Sequence, residues 1–194
     1  MIFTNSRTIN KKTLPLTNVK PIKPLPYTVE IKKIEVNETV QNTMPKSTWG
    51  PVIWYFFHTV AHKVKEHEFI TIRDALISNI IIICKNLPCP DCSQHASRYL
   101  AGIDMNKIHS KEDYKKMLFN FHNEVNKRLR KQIFTYEECN EKYEKGVLHL
   151  IITAFFKYFE DKHKSVHMLS NDMYTQRVSN NLRTWFTNNI HRFE

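Results

Sequence analysis

The residues able to do chemistry fall into three short stretches. The densest is Cys89-Pro90-Asp91-Cys92. Two cysteines three apart can close a small disulfide, and Pro90 suits a first helical position. A helix starting there would stabilise thiolate through its dipole and free N–H groups, lowering the pKa and making the pair redox-active. The same spacing also supplies half a zinc site. There is no second Cys-x-x-Cys, so His95, His122 and Cys139 could complete such a site only by tertiary approach. A thioredoxin-type setting needs strand–helix–strand context, and the flanks here have a helical period. The second stretch runs from Trp49-Gly50 through Trp54 to His58 and has the form W-G-x-x-x-W-x-x-x-H. Trp54 and His58 share a helix face; alone, the stretch reads as core aromatics with one satisfied histidine. The third is His122-Asn123-Glu124-Val125-Asn126, followed by Lys131. Its imidazole and amides could hydrogen-bond a flat heterocycle, while Lys127, Arg130, Lys131 and Lys142 could meet phosphates. The alternative is a solvated polar face.

These stretches must be positioned by a chain of 194 residues with 29 Lys+Arg against 19 Asp+Glu, a formal charge of +10. With 41% apolar and 12% aromatic residues it can build a core, which excludes general disorder. Its 3 glycines, Gly50, Gly102 and Gly146, lie far apart. Dinucleotide and phosphate loops need glycines close together, so Rossmann and P-loop chemistry are excluded. Glycine poverty also argues against a hairpin-rich β fold. The expectation is all-α.

Residues 1–45 read as a basic, proline-containing arm, with an extended stretch expected near Val29–Val36. From there the period is helical. Helix one is expected near 47–66 on Ile53, Phe57, Val60 and Val64, and helix two near 70–87 on Ile72, Leu76, Ile80, Ile83 and Leu87. Helix three begins at Pro90 and is capped at Gly102. Ser110 with Asp113 opens helix four, whose stripe is Tyr114, Leu118, Phe121, Val125 and Leu129. A fifth helix is expected across 136–160 on Tyr143, Val147, Leu150, Ile151, Ala154, Phe155 and Tyr158. Val166, Leu169, Tyr174, Val178, Leu182, Trp185 and Phe186 suit one more, in the extension 161–194. The intervening 46–160 is the expected functional domain. No secretory signal and no membrane span are legible.

Taken together and in this order, W-G-x-x-x-W-x-x-x-H, P-C-x-x-C-x-x-H and H-N-x-V-N-x-x-L-x-K resemble the Erv/ALR family of FAD-linked sulfhydryl oxidases. Leu87-Pro88-Cys89, Ser93-Gln94-His95-Ala96 and Arg98-Tyr99-Leu100 look most like the branch found in nucleocytoplasmic large DNA viruses. The resemblance implies a four-helix bundle plus a short fifth helix that holds FAD, with N- and C-terminal extensions. It implies catalytic Cys89 and Cys92, and a cofactor site formed by Trp49, Gly50, Trp54, His58, Cys92, His95, His122, Asn123, Val125, Asn126, Lys131, Lys142 and Tyr143. No metal site is implied. In the implied reaction a dithiol attacks Cys89, Cys92 leaves as thiolate and passes electrons to the flavin, and O2 becomes H2O2.

The sequence also departs from the family pattern. A disulfide common in cellular members would fall at Phe119 and Tyr136, so aromatic packing is expected to replace it. Lys63 stands where an aromatic is common. Cys84 reads as a small buried hydrophobe and Cys139 as a buried or idle thiol. No second dithiol is available as an internal shuttle. The implied partners are therefore dithiol proteins or a separate thiol carrier, with a homodimer formed through the first helices, where Tyr55 and Phe56 could serve. The implied setting is the host cytoplasm, virus factory or virion, for disulfide formation in virion proteins. Two rival classes are a basic helical nucleic-acid-binding protein and a structural zinc bundle. The basic residues are spread without a recognisable nucleic-acid module, which ranks that reading low.

Overall fold

The computed structural model describes residues 49–161 and 169–194, all within one compact unit spanning 43–194. The arm 1–45 with its extended stretch, and Val166, lie outside the described residues. Seven α-helices follow one another: α1 Trp49–Lys63, α2 Phe69–Lys85, α3 Pro90–Ala101, α4 Lys111–Arg128, α5 Tyr136–Tyr143, α6 Leu148–Asp161 and α7 Leu169–Asn189. Among the described residues there is no strand beyond a single isolated bridge between Val64 and Phe193. The fold is all-α. No described helix is long and apolar enough to cross a membrane.

In α1, α2 and α4 most of the expected stripe is buried, but Val147, Leu150, Tyr158 and Tyr174, expected on the apolar faces of the later helices, are exposed. The break before Leu148 resets the register, so α6 buries Leu148, Phe156 and Phe159 beside the expected Phe155. Ile53, Phe57 and Val60 of α1, Ile72, Leu76, Ile80 and Ile83 of α2, and Tyr114, Leu118 and Phe121 of α4 enter one apolar cluster. α1 is the central element, packing against α4, α5 and α6, while α3 packs on α2. Ser110 and Asp113 form a reciprocal capping box that starts α4, and Thr135 with Glu138 does the same for α5. Leu129 departs from its expected stripe and is exposed. The reason is local: α4 stops at Arg128, Arg130 takes a left-handed φ of 54°, and the Lys131 N–H reaches back to the Asn126 carbonyl at 2.9 Å. This is a Schellman closure with arginine where glycine is usual.

The single helix expected across 136–160 is two. The chain turns between Tyr143 and Leu148, so α5 faces the site and α6 runs along α1. Gly146 explains the close approach. A Cβ placed on it would lie 2.3 Å from Oγ1 and 2.8 Å from Cγ2 of Thr59, a fully buried, β-branched residue of α1. Thr59 is fully enclosed, so its γ atoms have little room to move aside. We expect Gly146→Ala to cost about 1–3 kcal/mol through overpacking, read as a lower urea midpoint.

A second correction concerns Phe56. Expected at a dimer face, it is instead 2% exposed and stacked on Phe155 of α6, with ring centroids 3.9 Å apart. The C-terminal segment joins the same core through Val178, Leu182, Phe186 and Phe193. Its last residues strap the end of α1: the Lys65 N–H donates to the Arg192 carbonyl at 2.9 Å and the Glu194 N–H to the Lys63 carbonyl at 2.7 Å, beside an Arg192–Glu68 ion pair.

Candidate active site

Cys89 and Cys92 form a disulfide with Cα atoms 5.2 Å apart. Cys89 is the N-cap of α3 in extended conformation, Pro90 opens the helix, and the Cys92 N–H donates to Cys89 Sγ at 3.2 Å. A helix usually caps with an oxygen; here a sulfur takes that place, at the positive end of the dipole. The turn is anchored from below, because Ser93 Oγ donates to the Lys85 carbonyl at 2.9 Å. Both sulfur-bearing residues are half-buried, open enough for a partner thiol to approach.

Cys92, Ala96 and Tyr99 follow one face of α3. Tyr99 stacks on Phe121 of α4, with centroids 4.9 Å apart, and Phe121 meets Trp54 of α1 edge-on at 5.2 Å. Trp54 in turn stacks almost parallel on His122, at 3.9 Å and 7°. His122 and His58 share a hydrogen bond, Nδ1 to Nε2 at 3.1 Å, and His58 stacks on Tyr143 at 4.4 Å. Lys142 lies over the rings of Phe134, Tyr143 and Tyr55. The first and third stretches therefore meet, with Tyr99 of α3 and Tyr143 of α5, as one ladder of flat side chains.

Several members sit differently from their neighbours. His122 and Asn126 are buried, so the solvated polar face is not what the fold makes of them. Asn123 has both ends of its amide engaged by the backbone of Phe134, at 2.9 and 3.0 Å. It holds the 129–135 loop, which in turn brings Phe134 edge-on to His122 at 5.2 Å. Trp49 and Val125 are partly buried against the core, and a Cβ at Gly50 would meet open space. Lys131 is exposed beyond the end of α4. His95 is half-buried; burial first and the Arg128 charge second lower its pKa, while Glu124 opposes them.

Burial, then the charges of Lys142 and Lys131, hold His122 down at about 3. Burial, then His122, keeps His58 well below its ordinary value of 6.5. Both are neutral in the folded protein at pH 7. In the unfolded chain each titrates near 6.5 and so binds more protons than the folded state below that pH. Their contribution is fully present above about 6.5 and is lost as the pH falls toward the folded value. For His122 the loss from pH 7 to pH 5 is about 2 kcal/mol, and His58 adds in the same direction. We expect a melting midpoint lower by roughly 6 °C or more at pH 5. An unchanged midpoint would contradict the buried neutral pair.

His58 and His62 also have a spacing suited to zinc ligands, but His58 is committed to His122 and lies 3.8 Å from Cys139 Sγ through Nδ1. Among the described residues no group of three or more His, Cys, Asp or Glu side chains could hold a metal ion. A cleft of about 420 Å³ lies elsewhere, lined by Lys63, Lys145, Gly146, His149, Phe193 and Glu194, and includes neither the cysteine pair nor any ring of the ladder.

The reading of Phe119 and Tyr136 holds. Their rings meet edge-on at 5.3 Å, and the Tyr136 hydroxyl donates to Glu112 at 2.8 Å. Cys84 is 1% exposed and burial pushes its thiol up to about 12, as expected of a small core residue. Periodicity alone missed Tyr99, Phe121 and Phe134. They appear in sequence as ordinary core aromatics; the approach of α3 to α4 makes links of Tyr99 and Phe121, and the loop held by Asn123 does so for Phe134.

The Erv1 / Alr family model matches residues 51–144, the segment that contains the cysteine pair and the ladder. Among curated relatives, an FAD-linked sulfhydryl oxidase of African swine fever virus is 33% identical over 103 residues, covering 53% of this chain and 86% of the relative. The 347L protein of Invertebrate iridescent virus 6 is 32% identical over 101 residues, covering 49% of this chain and 91% of the relative. FAD-linked sulfhydryl oxidase ERV1 of Arabidopsis thaliana is 24% identical over 115 residues, covering 59% and 60%. No solved structure matches. By the family match and the extent of the viral relatives, the chain belongs to the Erv1 / Alr family.

Proposed function

We propose that the Cys89–Cys92 disulfide is the redox centre of a sulfhydryl oxidase and that the ring ladder forms its cofactor site. As a member of a family whose relatives are named FAD-linked sulfhydryl oxidases, the chain is a thiol oxidase with FAD as cofactor. The observation that carries the finer reading is the chain of ring contacts from Tyr99, on the same face of α3 as Cys92, through Phe121 to Trp54 and His122.

The donor set suits FAD. Trp49, Trp54, Tyr143 and Val125 offer flat or apolar surface. The neutral imidazole of His122, with Asn126, offers hydrogen bonds to a heterocycle, while His58, whose two ring nitrogens face His122 and Cys139, holds His122 in place. Lys131 and Lys142, whose charges both reach His122, suit a pyrophosphate. Gly50, with open space beside it, and His95 complete the proposed surround. Asn123 acts one step away, by holding Phe134.

In the proposed reaction a substrate thiolate attacks Cys89 Sγ, forming a mixed disulfide and releasing Cys92 as thiolate. The second substrate thiol then resolves the mixed disulfide, so the substrate leaves oxidised and both enzyme cysteines are reduced. Free N–H groups at the start of α3 stabilise the thiolates formed there. The residues named above would hold FAD beside this dithiol, where it would supply a two-electron acceptor and a route for the electrons to O2, with H2O2 as the product. Net, two thiols and O2 become one disulfide and H2O2.

Cys84 and Cys139 are buried, so no second accessible dithiol exists in the sequence to relay electrons inward. A separate dithiol protein is the proposed donor, in service of virion disulfides, in the host cytoplasm or virus factory. The Phe119–Tyr136 contact suits that reducing setting, where a disulfide staple would be exposed to exchange. A homodimer belongs to this reading, with Phe56 excluded from its interface. The working unit starts near residue 46 and includes α1 to α6, with α7 packed on it.

An oxygen electrode tests the reaction. Flavin-loaded protein given dithiothreitol should consume O2 and yield an equal amount of H2O2, half of that O2 returning on addition of catalase. Absence of thiol-driven O2 uptake would overturn the proposal.

A further inference from the structure

Cys139 is a buried thiol that the proposed reaction does not use, yet it touches the ladder. Its Sγ lies 3.8 Å from His58 Nδ1, and His58 Nε2 lies 3.1 Å from His122 Nδ1. Tyr143, one turn on from Cys139 in α5, stacks flat on His58 and fixes the ring plane. Trp54 stacks on His122 and Phe134 meets it edge-on, fixing the second ring. Two neutral imidazoles joined in this way can carry their protons in only one of two concerted arrangements. Either each ring holds its proton on Nε2, or each holds it on Nδ1.

The thiol decides between them. An imidazole nitrogen is a good acceptor, whereas a thiol sulfur is a weak one. With S–H donating to His58 Nδ1, His58 must carry its proton on Nε2 and donate to His122 Nδ1. His122 is then left with its proton on Nε2, an atom that has no hydrogen-bond partner among the described residues. The reverse arrangement would aim the His58 Nδ1–H at a poor acceptor and leave His122 Nε2 a bare lone pair. Burial pushes the Cys139 thiol up to about 11, so the proton needed for the first arrangement is present at neutral pH.

We propose that Cys139 is a positioning residue that sets the tautomers of His58 and His122, so that His122 presents Nε2–H as a donor to an acceptor atom of the bound heterocycle. The consequence for the cofactor rests on the reading above; the tautomers themselves belong to the protein and can be read with or without flavin.

The test is long-range proton–nitrogen correlation NMR on the full chain labelled with ¹⁵N-histidine, recorded with and without FAD. Wild type should show both His58 and His122 neutral with the proton on Nε2. Cys139→Ser, whose hydroxyl can also donate, should keep that pattern. Cys139→Ala should show Nδ1–H populations at both rings, and FAD affinity, followed by flavin fluorescence, should fall roughly fivefold, the weight of one net hydrogen bond. A wild-type protein with Nδ1–H on either ring would overturn the proposal, and so would wild-type tautomers or undiminished affinity in Cys139→Ala. If Cys139→Ala does not fold, the wild-type spectrum decides. Failure of the cofactor reading is seen separately, as a wild-type protein that takes up no FAD.

Discussion

Cys89→Ser and Cys92→Ser should each cut thiol-driven O2 consumption by about a thousandfold or more while the protein still binds flavin. The two losses have different origins. Without Cys89 no sulfur at the helix cap can accept the incoming thiolate, and without Cys92 the attacked sulfur has no leaving group. Removing a reacting atom typically costs several orders of magnitude, far more than a perturbed contact. Neither remaining cysteine can substitute, because Cys84 and Cys139 are buried and their thiols are pushed up to about 12 and about 11. Cys84→Ala should keep near-wild-type activity, measured by the same oxygen uptake. Activity surviving in either variant of the pair would move the redox centre elsewhere.

Phe155→Ala should destabilise the protein by about 3–5 kcal/mol. Phe155 is fully buried and stacks on Phe56 at 3.9 Å, with Phe156 and Phe159 packed against it at 5.0 and 5.2 Å. The surrounding rings cannot collapse into the space without leaving their stacked geometry, so most of the cavity term persists. The position also has an architectural meaning. It lies in α6, beyond the 51–144 segment that matches the family, yet α6 packs against α1, which carries Trp54 and His58. A loss below about 1 kcal/mol in urea denaturation would mean that α6 is an appendage and not part of the core.

The sequence patterns made most of this architecture legible where a local rule suffices. Pro90 after Cys89 announced a helix start, Ser110 with Asp113 a capping box, and the 3.6-residue stripes the buried faces of α1, α2 and α4. The break between α5 and α6 was not legible. Residues 136–160 are continuously helical in period, and what stops the helix is the turn that lets Gly146 come against Thr59, a contact made across the fold. The same limit applies to the site. Trp54 and His58 could be placed on one face, but the stacking of Trp54 on His122 depends on how α1 crosses α4. Asn123 looked like a direct ligand because it stands beside His122. Its amide is instead spent on the Phe134 backbone, in a loop whose course depends on Arg130 adopting a left-handed conformation that the residue type does not advertise. Phe56 is offered to a second subunit only by the family resemblance, and nothing local in the sequence shows that α6 covers it.

The most direct test of the central claim is the visible spectrum of the flavin-loaded protein during titration with dithiothreitol under air-free conditions. The account predicts a band near roughly 450 nm that bleaches as thiol is added and returns when air is admitted, with bleaching lost in Cys92→Ser although flavin stays bound. A bound flavin that dithiothreitol leaves unbleached in the wild type, or a folded protein that takes up no FAD, would contradict it.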